Sequence, residues 1–347
     1  MKRISKKKKR KGLTILTIIF AIADILAITC FVIMYGPWTY FQNLFVTTAM
    51  KTRSHQYLAY VFYSEEKVKA IMNNNYFITI KEDVNLEDII IDTSEKTSYK
   101  DKYEEELLTR EDGNNSYKVL DVKVGNAKGY LIAIYEPEKV KLIRTKKFNA
   151  GTFGERVVDM CNRYGGSVCI NGGGFANGLS NGSDVPIGYV IDEGEIAWAE
   201  NNDYERRGNI IGITEEGKLQ LLNNTTGNDA IEAGVKYGLE FGPFLIVNGK
   251  SMEIHGMPYG VANKCVIAQR KDGVMMFLIT EGETYIDGAS LKDVIEVLEK
   301  YGAYNAANLD GGQSTSLVIN NKLVNTPNHL AKKQGGRYVV NGFGLIP

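Results

Sequence analysis

The most apolar stretch of the chain runs from Leu13 to Tyr35 and reads LTILTIIFAIADILAITCFVIMY. A helix of about 20 apolar residues crosses the roughly 30 Å hydrocarbon core of a bilayer. Eight basic residues lie within positions 2–11, directly before this stretch, and such a run stays in the cytoplasm by the positive-inside rule. The pattern predicts a basic cytoplasmic tail over 1–12, a single transmembrane anchor over 13–35, and an extracellular C-terminal part.

A cleaved signal peptide is the alternative to this anchor, although its apolar region would be shorter and no clear small-x-small site follows. Asp24 lies near the middle of the stretch, where a carboxylate costs about 2.5–3.5 kcal/mol on the insertion scale. It either pairs with another helix or is outweighed by the surrounding Ile and Leu residues. Trp38 and Tyr40 follow the stretch and supply aromatics for the far membrane interface.

The next segment, 36–116, is predicted to be an extracellular helical stalk followed by a linker. Residues 36–75 have an amphipathic helical pattern, and Ser64 with two following glutamates is typical of a helix start. Residues 81–116 are rich in Lys, Glu, Asp, Asn and Ser, a composition that favours a surface linker.

From Tyr117 onward, short β-branched and aromatic runs alternate with turn residues, which predicts strands joined by tight turns. Two helices are expected within this region, Glu155–Tyr164 and Ser290–Tyr301, each followed by glycine. The domain over 117–347 is therefore predicted to be α+β, with a mixed β-sheet and packed helices, preceded by the N-terminal transmembrane helix.

The distribution of charge and the spacing of the cysteines argue against a nucleic-acid-binding protein and against a cysteine metal site. The 41 basic and 41 acidic residues balance, but the basic run near the N-terminus leaves the rest of the chain acidic, which argues against nucleic acid as a partner. Four cysteines, Cys30, Cys161, Cys169 and Cys265, lack metal-ligand spacing. Cys161 and Cys169 either pair in an oxidising compartment or remain buried free thiols.

Three glycine-rich loops follow apolar strands: Asn171–Phe175, the Gly242–Gly249 region and Asn308–Thr315. Glycine at a strand end lets backbone N–H groups approach a ligand and can form an anion-binding concavity. None of the loops matches a nucleotide-binding fingerprint. A single loop of this kind is often a plain tight turn, but three together indicate a binding site.

The runs Asn-Gly-Gly-Gly-Phe (171–175), Gly-Pro-Phe-Leu-Ile-Val-Asn-Gly (242–249) and Asn-Leu-Asp-Gly-Gly-Gln-Ser-Thr (308–315), in this order, resemble the phosphodiester glycosidase family. The family includes a mammalian enzyme that removes N-acetylglucosamine from mannose-phosphate signals on lysosomal enzymes, and bacterial envelope proteins described as exopolysaccharide-related. The resemblance covers about 117–347, and Arg337–Gly342 is similar to the family's terminal strand. Lys264 stands where the family usually has Arg, which keeps the charge but loses a bidentate fork.

The resemblance implies cleavage of a sugar from a phosphodiester, a reaction that needs a carboxylate as base or nucleophile at the anomeric carbon. Asp310 is the first candidate because it lies at a strand end in the most specific motif, although Asp-Gly is also a common turn. Glu281 is the second candidate, and Asp287 and Asp184 are weaker ones.

Phosphate binding is expected from cations and from backbone N–H groups. The candidate cations are Lys264, Arg337 and Arg144, and the candidate sugar-binding amides are Asn171 and Asn308. The glycines expected to line the site are Gly172, Gly173, Gly311 and Gly312. No cofactor is assigned, although Asp310 with Glu281 could hold a divalent cation such as Ca²⁺.

Other chemistries fit poorly. The chain has three histidines, His55, His255 and His329, without a nucleophile elbow for a Ser-His-Asp triad or clustered ligands for zinc. We therefore expect a membrane-anchored, extracellular hydrolase of glycosidic phosphodiesters in envelope polysaccharide or teichoic-acid-like polymer, its partners being that carbohydrate-phosphate polymer and membrane lipid. The alternative is a non-catalytic polysaccharide-binding module in exopolysaccharide assembly or export.

Overall fold

A computed structural model describes residues 2–52, 55–111, 113–148, 153–176, 185–282, 288–326 and 335–347. The chain divides into two compact units. Unit 1 comprises Met1–Tyr76 and His255–Gly260, and unit 2 comprises Phe77–Ile254 and Val261–Pro347.

Unit 1 is helical, with α1 (Lys2–Tyr35), α2 (Thr39–Lys51), α3 (Tyr57–Phe62) and α4 (Glu65–Asn74). Within α1, Leu13–Tyr35 is long and apolar enough to cross a membrane, and none of it is buried. The helix α4 begins where the sequence indicates, because the Ser64 side chain accepts a hydrogen bond from the Lys67 N–H. The small core of the unit is formed by buried apolar side chains of α2, α3 and α4: Val46, Ala59, Val68 and Ile71, with Tyr63 between α3 and α4.

Unit 2 contains three larger sheets, and the strand pairs in its described residues run antiparallel. A seven-stranded sheet has the order β13 (Lys250–Ser251), β12 (Phe244–Val247), β17 (Ala303–Asn308), β15 (Cys265–Arg270), β16 (Met275–Glu281), β3 (Ala127–Ile134), β2 (Tyr117–Val124). A five-stranded sheet has the order β10 (Leu219–Thr225), β9 (Gly208–Ile213), β11 (Tyr237–Glu240), β7 (Tyr189–Asp192), β8 (Glu195–Ala199). A second five-stranded sheet has the order β19 (Lys322–Leu323), β18 (Leu317–Ile319), β6 (Val168–Asn171), β21 (Asn341–Leu345), β4 (Val140–Arg144).

Shorter elements complete the chain. The remaining strands are β1 (Tyr76–Ile78), β14 (Glu253–His255), and the paired β5 (Glu155–Arg156) and β20 (Tyr338–Val339). The helices of unit 2 are α5 (Lys102–Leu108), α6 (Val157–Tyr164), α7 (Gly227–Glu232) and α8 (Leu291–Lys300). Single 3-10 turns cover Leu86–Asp88, Pro137–Lys139, Glu200–Asn202 and Gly312–Ser314.

The three larger sheets share one apolar core. It contains Ile132, Ile267 and Phe277 of the seven-stranded sheet, Ile211 and Leu239 of the β7–β11 sheet, and Ile170 and Phe343 of the β6–β21 sheet, all fully buried. The α+β class is thus confirmed. Both predicted helices of this region are present: α6 ends at Gly165, whose φ is 71°, and α8 is fixed by a capping box at Ser290.

The segment expected to be a surface linker, 81–116, is instead an integral part of unit 2. Ile89 and Leu107 are buried, and the backbone N–H of Ile90 donates to the Lys271 carbonyl at 2.9 Å. Arg270 pairs with Glu104 at 2.7 Å. The composition misleads because the apolar residues of this segment are few, but four of them, Val84, Ile89, Leu107 and Leu108, are buried in unit 2.

Cys161 and Cys169 form a disulfide with a Cα–Cα distance of 5.9 Å, so the free-thiol alternative does not hold for this pair. The bridge joins α6 to β6, the strand that ends at Asn171. Gly166 lies against it: a Cβ there would be 2.7 Å from Cys169 Sγ and 3.0 Å from Cys161 Sγ. The remaining cysteines are free, Cys30 exposed and Cys265 buried.

Candidate active site

Two of the three glycine-rich loops are joined by direct hydrogen bonds. The Asp310 backbone N–H donates to the Gly172 carbonyl at 2.8 Å, and the Asn171 side-chain amide donates to the Asp310 carbonyl at 2.7 Å. The third loop meets Asn308, whose backbone N–H donates to the Pro243 carbonyl at 3.0 Å. The three strand ends therefore converge.

Asn171 holds this convergence together through its side chain. It is fully buried, and while its Nδ2 donates to Asp310, its Oδ1 accepts a 2.9 Å hydrogen bond from the Ser316 backbone N–H. Both ends of the carboxamide are used within the protein. Asn171 thus positions the Asp310 loop from both sides of its turn.

The glycines after Asn171 permit a close approach to β21. The Gly172 N–H donates to the Asn341 carbonyl at 2.9 Å, and the Gly173 N–H donates to Asn341 Oδ1 at 2.7 Å. A Cβ on Gly172 would be 2.6 Å from Leu239 Cδ2 and 2.7 Å from Asn341 Oδ1. A side chain at 172 would therefore force the two strands apart.

Gly311 and Gly312 allow the Asp310 loop to pack closely against the backbone of Asn263, which precedes β15. A Cβ on Gly311 would be 2.5 Å from the Asn263 carbonyl oxygen, and the Gly312 N–H donates to the same carbonyl at 2.9 Å. Gly312 has a φ of +60°, with nothing within 4 Å of its Cβ position. Its outer surface is therefore open.

Arg337 is the cation associated with Asp310. Burial lowers the pKa of the Arg337 guanidinium, and the negative charge of Asp310 acts in the opposite direction. The guanidinium lies 4.9 Å from the centre of the Phe175 ring, and its Nη1 donates to Ser314 Oγ at 3.3 Å. Arg337 therefore contacts both the buried Phe175 ring and the loop that carries Asp310.

Cys265 contacts the strand end that carries Asn171. Its Sγ donates to the Asn171 carbonyl at 3.4 Å. Burial raises the pKa of the Cys265 thiol well above its ordinary value, and the charge of Asp310 adds to the effect. The Cys265 thiol is consequently neutral, and it is a small buried side chain near the Asp310 carboxylate.

The Lys264 backbone lies near the Asp310 loop, with its Cα 3.9 Å from the Cβ position of Gly311, and its N–H donates to Thr280 Oγ1 at 2.8 Å. Side chains alternate between the two faces of a strand, so Lys264 lies on the face opposite to the core residue Cys265. Burial lowers the pKa of Lys264 to about 8, and the charge that opposes this is Asp293 of α8. The expected pairing of Lys264 with phosphate near Asp310 therefore lacks support from its surroundings.

Glu281, at the end of β16, is held by hydrogen bonds from two other segments of the chain. Its Oε2 accepts a 2.6 Å hydrogen bond from the Thr326 backbone N–H, and its Oε1 accepts one from the Tyr130 hydroxyl at 3.3 Å. Lys128 Nζ lies 4.0 Å away. Because β15 separates β16 from β17, the backbones of Glu281 and Asp310 are two strand spacings apart, roughly 10 Å.

The other candidates are placed elsewhere or are not described. Arg144 forms a 2.7 Å ion pair with Asp192, so its charge is compensated away from the Asp310 loop. Asp184, Asp287 and His329 lie outside the described residues. Within the described residues, no group of three or more His, Cys, Asp or Glu side chains could hold a metal ion, and Glu281 already accepts from Thr326 and Tyr130.

Two buried polar atoms near the loops lack a hydrogen-bond partner within the described part of the chain, Asn308 Oδ1 and Thr315 Oγ1. Asn308 Nδ2 donates to the Gly242 carbonyl at 3.3 Å, which directs the amide toward the Gly242–Pro243 loop. Asn308 therefore retains an acceptor that its own neighbours do not use.

Sequence reasoning missed Asn341, Ser316 and Cys265. Asn341 lies in the terminal motif, where an asparagine before glycine in a buried strand could have drawn attention because an amide there needs a partner. Ser316 contributes only its backbone N–H to Asn171, so its side chain gives no sequence signal.

Comparison with known proteins finds relatives of this chain. Over 166 residues, 47% of this chain, the sequence is 24% identical to bovine (Bos taurus) N-acetylglucosamine-1-phosphodiester alpha-N-acetylglucosaminidase. The matched segment spans only 28% of the bovine protein.

A solved structure has a similar fold. The zebrafish N-acetylglucosamine-1-phosphodiester alpha-N-acetylglucosaminidase catalytic domain, auto-inhibited by its pro-peptide, superposes with a TM-score of 0.54 at 18% identity, covering 67% of this chain and 82% of that one. The sequence profile of the phosphodiester glycosidase family matches residues 164–346, a range that contains Asn171, Asp310 and Arg337. The chain belongs to the phosphodiester glycosidase family.

Proposed function

We propose that the protein hydrolyses a glycosidic phosphodiester, a sugar 1-phosphate linkage. The observation that carries the proposal is that Arg337 donates to Ser314 of the Asp310 loop and that its guanidinium is influenced by the Asp310 charge. A carboxylate and a guanidinium on neighbouring segments match the two charges that this reaction presents.

The reaction breaks the bond between the anomeric carbon and the phosphate oxygen. The leaving phosphate is already a stable anion, so it requires little proton donation, and Arg337 holds it by charge and hydrogen bonds. Asp310 either attacks the anomeric carbon, with water later releasing the sugar, or accepts a proton from the attacking water. In both cases the products are the free sugar and a phosphate monoester, and one proton is released to solvent.

Substrate positioning follows from the surrounding residues. The buried Phe175 ring holds the Arg337 guanidinium, which lies 4.9 Å from the ring centre. The open Gly312 leaves room for the group beyond the phosphate, consistent with an envelope polysaccharide or a teichoic-acid-like polymer as substrate.

The location proposed is the outer face of a cell membrane, with the N-terminus cytoplasmic. The apolar helix Leu13–Tyr35 and the preceding basic run support a single-pass anchor, and the Cys161–Cys169 disulfide supports an oxidising compartment for unit 2. Protease added to intact spheroplasts should digest all but a small N-terminal piece. Full protection of unit 2 would contradict this topology.

The activity is tested with Asp310→Asn, which keeps the shape of the side chain and removes its charge. Turnover of an N-acetylglucosamine 1-phosphodiester should fall by about 10²–10⁴-fold, the range for a lost acid-base group. Asp121→Asn is the matched control, because Asp121 is a 76% exposed carboxylate.

Three outcomes are informative. Unchanged turnover in Asp310→Asn, with loss in Glu281→Gln, would move the carboxylate role to Glu281. Arg337→Gln should raise KM for the same substrate, with Arg207→Gln as the control, since Arg207 is 53% exposed. Polymer binding without turnover of any sugar 1-phosphodiester by the wild-type protein would favour the binding-module alternative.

A further inference from the structure

Unit 1 exposes an unusual set of aromatic side chains. Trp38, Tyr40 and Phe41 at the start of α2 are 44–58% exposed, and Tyr57, Tyr60 and Phe62 of α3 are 39–59% exposed. We name these six residues the aromatic collar. Large exposed apolar surfaces in one small unit mark a contact surface.

The two parts of the collar, at the start of α2 and in α3, both lie near the C-terminal end of α1. The Tyr63 hydroxyl donates to the Met34 carbonyl at 2.7 Å, and the rings of Tyr35 and Tyr63 lie 5.9 Å apart. The rings of Phe45 and Phe62 lie 5.5 Å apart. Both α2 and α3 therefore pack beside the point where the apolar helix ends.

The collar segments carry no formal charge. Residues 37–50 and 56–63 contain no Asp, Glu, Lys or Arg, although they contain Gln, Asn and Thr. By contrast α4 is charged, and its Glu65–Lys69 pair leaves both side chains about 70% exposed. The collar segments are thus uncharged, whereas α2 ends in Lys51 and α4 carries exposed charged side chains.

We propose that the aromatic collar lies in the interfacial layer of the lipid bilayer, so that α2 and α3 rest on the membrane surface instead of forming a projecting stalk. This inference rests on the proposed membrane anchoring by α1. Lipid is the occupant that fits, because the collar continues directly from an apolar helix of membrane-spanning length. Tyr and Trp prefer the interface, where the ring is apolar on one side and its polar atom reaches water or headgroups.

The experiment uses the full-length chain in vesicles of phosphatidylcholine brominated either near the headgroup end or near the terminal end of the acyl chains. The protein has two tryptophans, Trp38 and Trp198, so Trp198→Phe leaves Trp38 as the sole emitter without altering unit 1. In the Trp38→Phe/Trp198→Phe background, single tryptophans are introduced as Tyr60→Trp for the collar, Lys69→Trp for α4, and Phe20→Trp for the apolar span.

Trp38 and Tyr60→Trp should both lose emission in the lipids brominated near the headgroup end, and Lys69→Trp should not. Phe20→Trp should lose emission most strongly with the terminally brominated lipids. If Phe20→Trp is quenched while Tyr60→Trp behaves like Lys69→Trp, the collar proposal is overturned and the anchor stands. If Phe20→Trp is not quenched, the anchor itself fails, and the collar proposal with it. A blue-shifted Tyr60→Trp emission that is indifferent to bromine would indicate a protein partner, which also overturns the proposal.

Discussion

The Asn171 carboxamide donates a 2.7 Å hydrogen bond to the Asp310 backbone carbonyl across 139 positions of sequence. It makes the position of the candidate catalytic loop depend on a residue at the end of a different strand. The same carboxamide accepts from the Ser316 N–H, so a single buried side chain fixes the loop at both ends.

Asn171→Ala should therefore reduce both stability and turnover. The change leaves the Asp310 carbonyl and the Ser316 N–H buried without their partner, at a cost of about 1–3 kcal/mol each. The free energy of unfolding from urea titration and kcat on a sugar 1-phosphodiester measure the two effects. Asn228→Ala is the control, because Asn228 is an exposed residue of α7; equal behaviour of the two variants would contradict the positioning role.

Gly172 and Gly173 should differ in their tolerance of a methyl group. A Cβ at 172 would overlap Leu239 and Asn341 at 2.6–2.7 Å, whereas at 173 the nearest atoms lie at 3.4–3.5 Å. Gly172→Ala should destabilise the fold by about 1–3 kcal/mol, as overpacking does, and should reduce turnover. Gly173→Ala should do much less, and thermal unfolding compares the pair directly. A larger loss in Gly173→Ala would refute this packing argument.

Lys264 should make the stability of the protein rise between pH 8 and pH 10.5. Burial lowers its pKa from 10.5 to about 8, so in this window the unfolded chain binds the proton and the folded chain does not. Below pH 8 the folded state holds a buried cation at a cost of about 3 kcal/mol. Stability therefore increases as pH rises through this window.

Lys264→Met removes the titration and provides the test. Urea unfolding at pH 7 and at pH 10 should show a smaller gain in stability for Lys264→Met than for the wild type. Comparing the two proteins cancels the contributions of other groups that titrate in alkali, such as Cys265. An identical gain in both proteins would show that Lys264 is not the responsible group.

Reduction of the Cys161–Cys169 disulfide should destabilise unit 2 by about 2–4 kcal/mol, the usual contribution of such a cross-link. The melting temperature should fall on adding reductant to the wild type. It should not change on adding reductant to the Cys161→Ala/Cys169→Ala variant. Thiol titration of the unreduced, denatured wild type should detect two thiols, Cys30 and Cys265; four thiols would contradict the pairing.

The helices α6 and α8 can be predicted from the sequence because the residues that begin or end them lie next to them in the chain. Ser290 and the apolar stripe of α8 lie within a few residues of one another, as do α6 and Gly165. The three glycine-rich loops were visible for the same reason. Their convergence was expected from their number, but the hydrogen bonds that achieve it connect residues far apart and carry no local signal.

The contacts of the Lys264, Cys265 and Glu281 side chains cannot be predicted from the sequence in this way. Lys264 and Cys265 are neighbours in sequence yet face opposite sides of β15, and which one faces the core depends on the register of β15 with β16 and β17. Glu281 looked like a second carboxylate of the site, but its Oε2 accepts from Thr326, a contact across 45 positions. Such pairings are set by tertiary packing, which composition and motif cannot reveal.

The family match begins at residue 164, yet β3 lies earlier in the chain and pairs with all seven residues of β16, with Ile132 opposite Phe277. A fragment cut at the family boundary would lose β2 and β3 together. It would expose the edge of β16, whose first five residues are apolar, with unpaired backbone groups, which is the kind of edge that recruits other chains. The strands upstream of the family match therefore act as a built-in protection against self-association, and any expression fragment of this protein has to retain them.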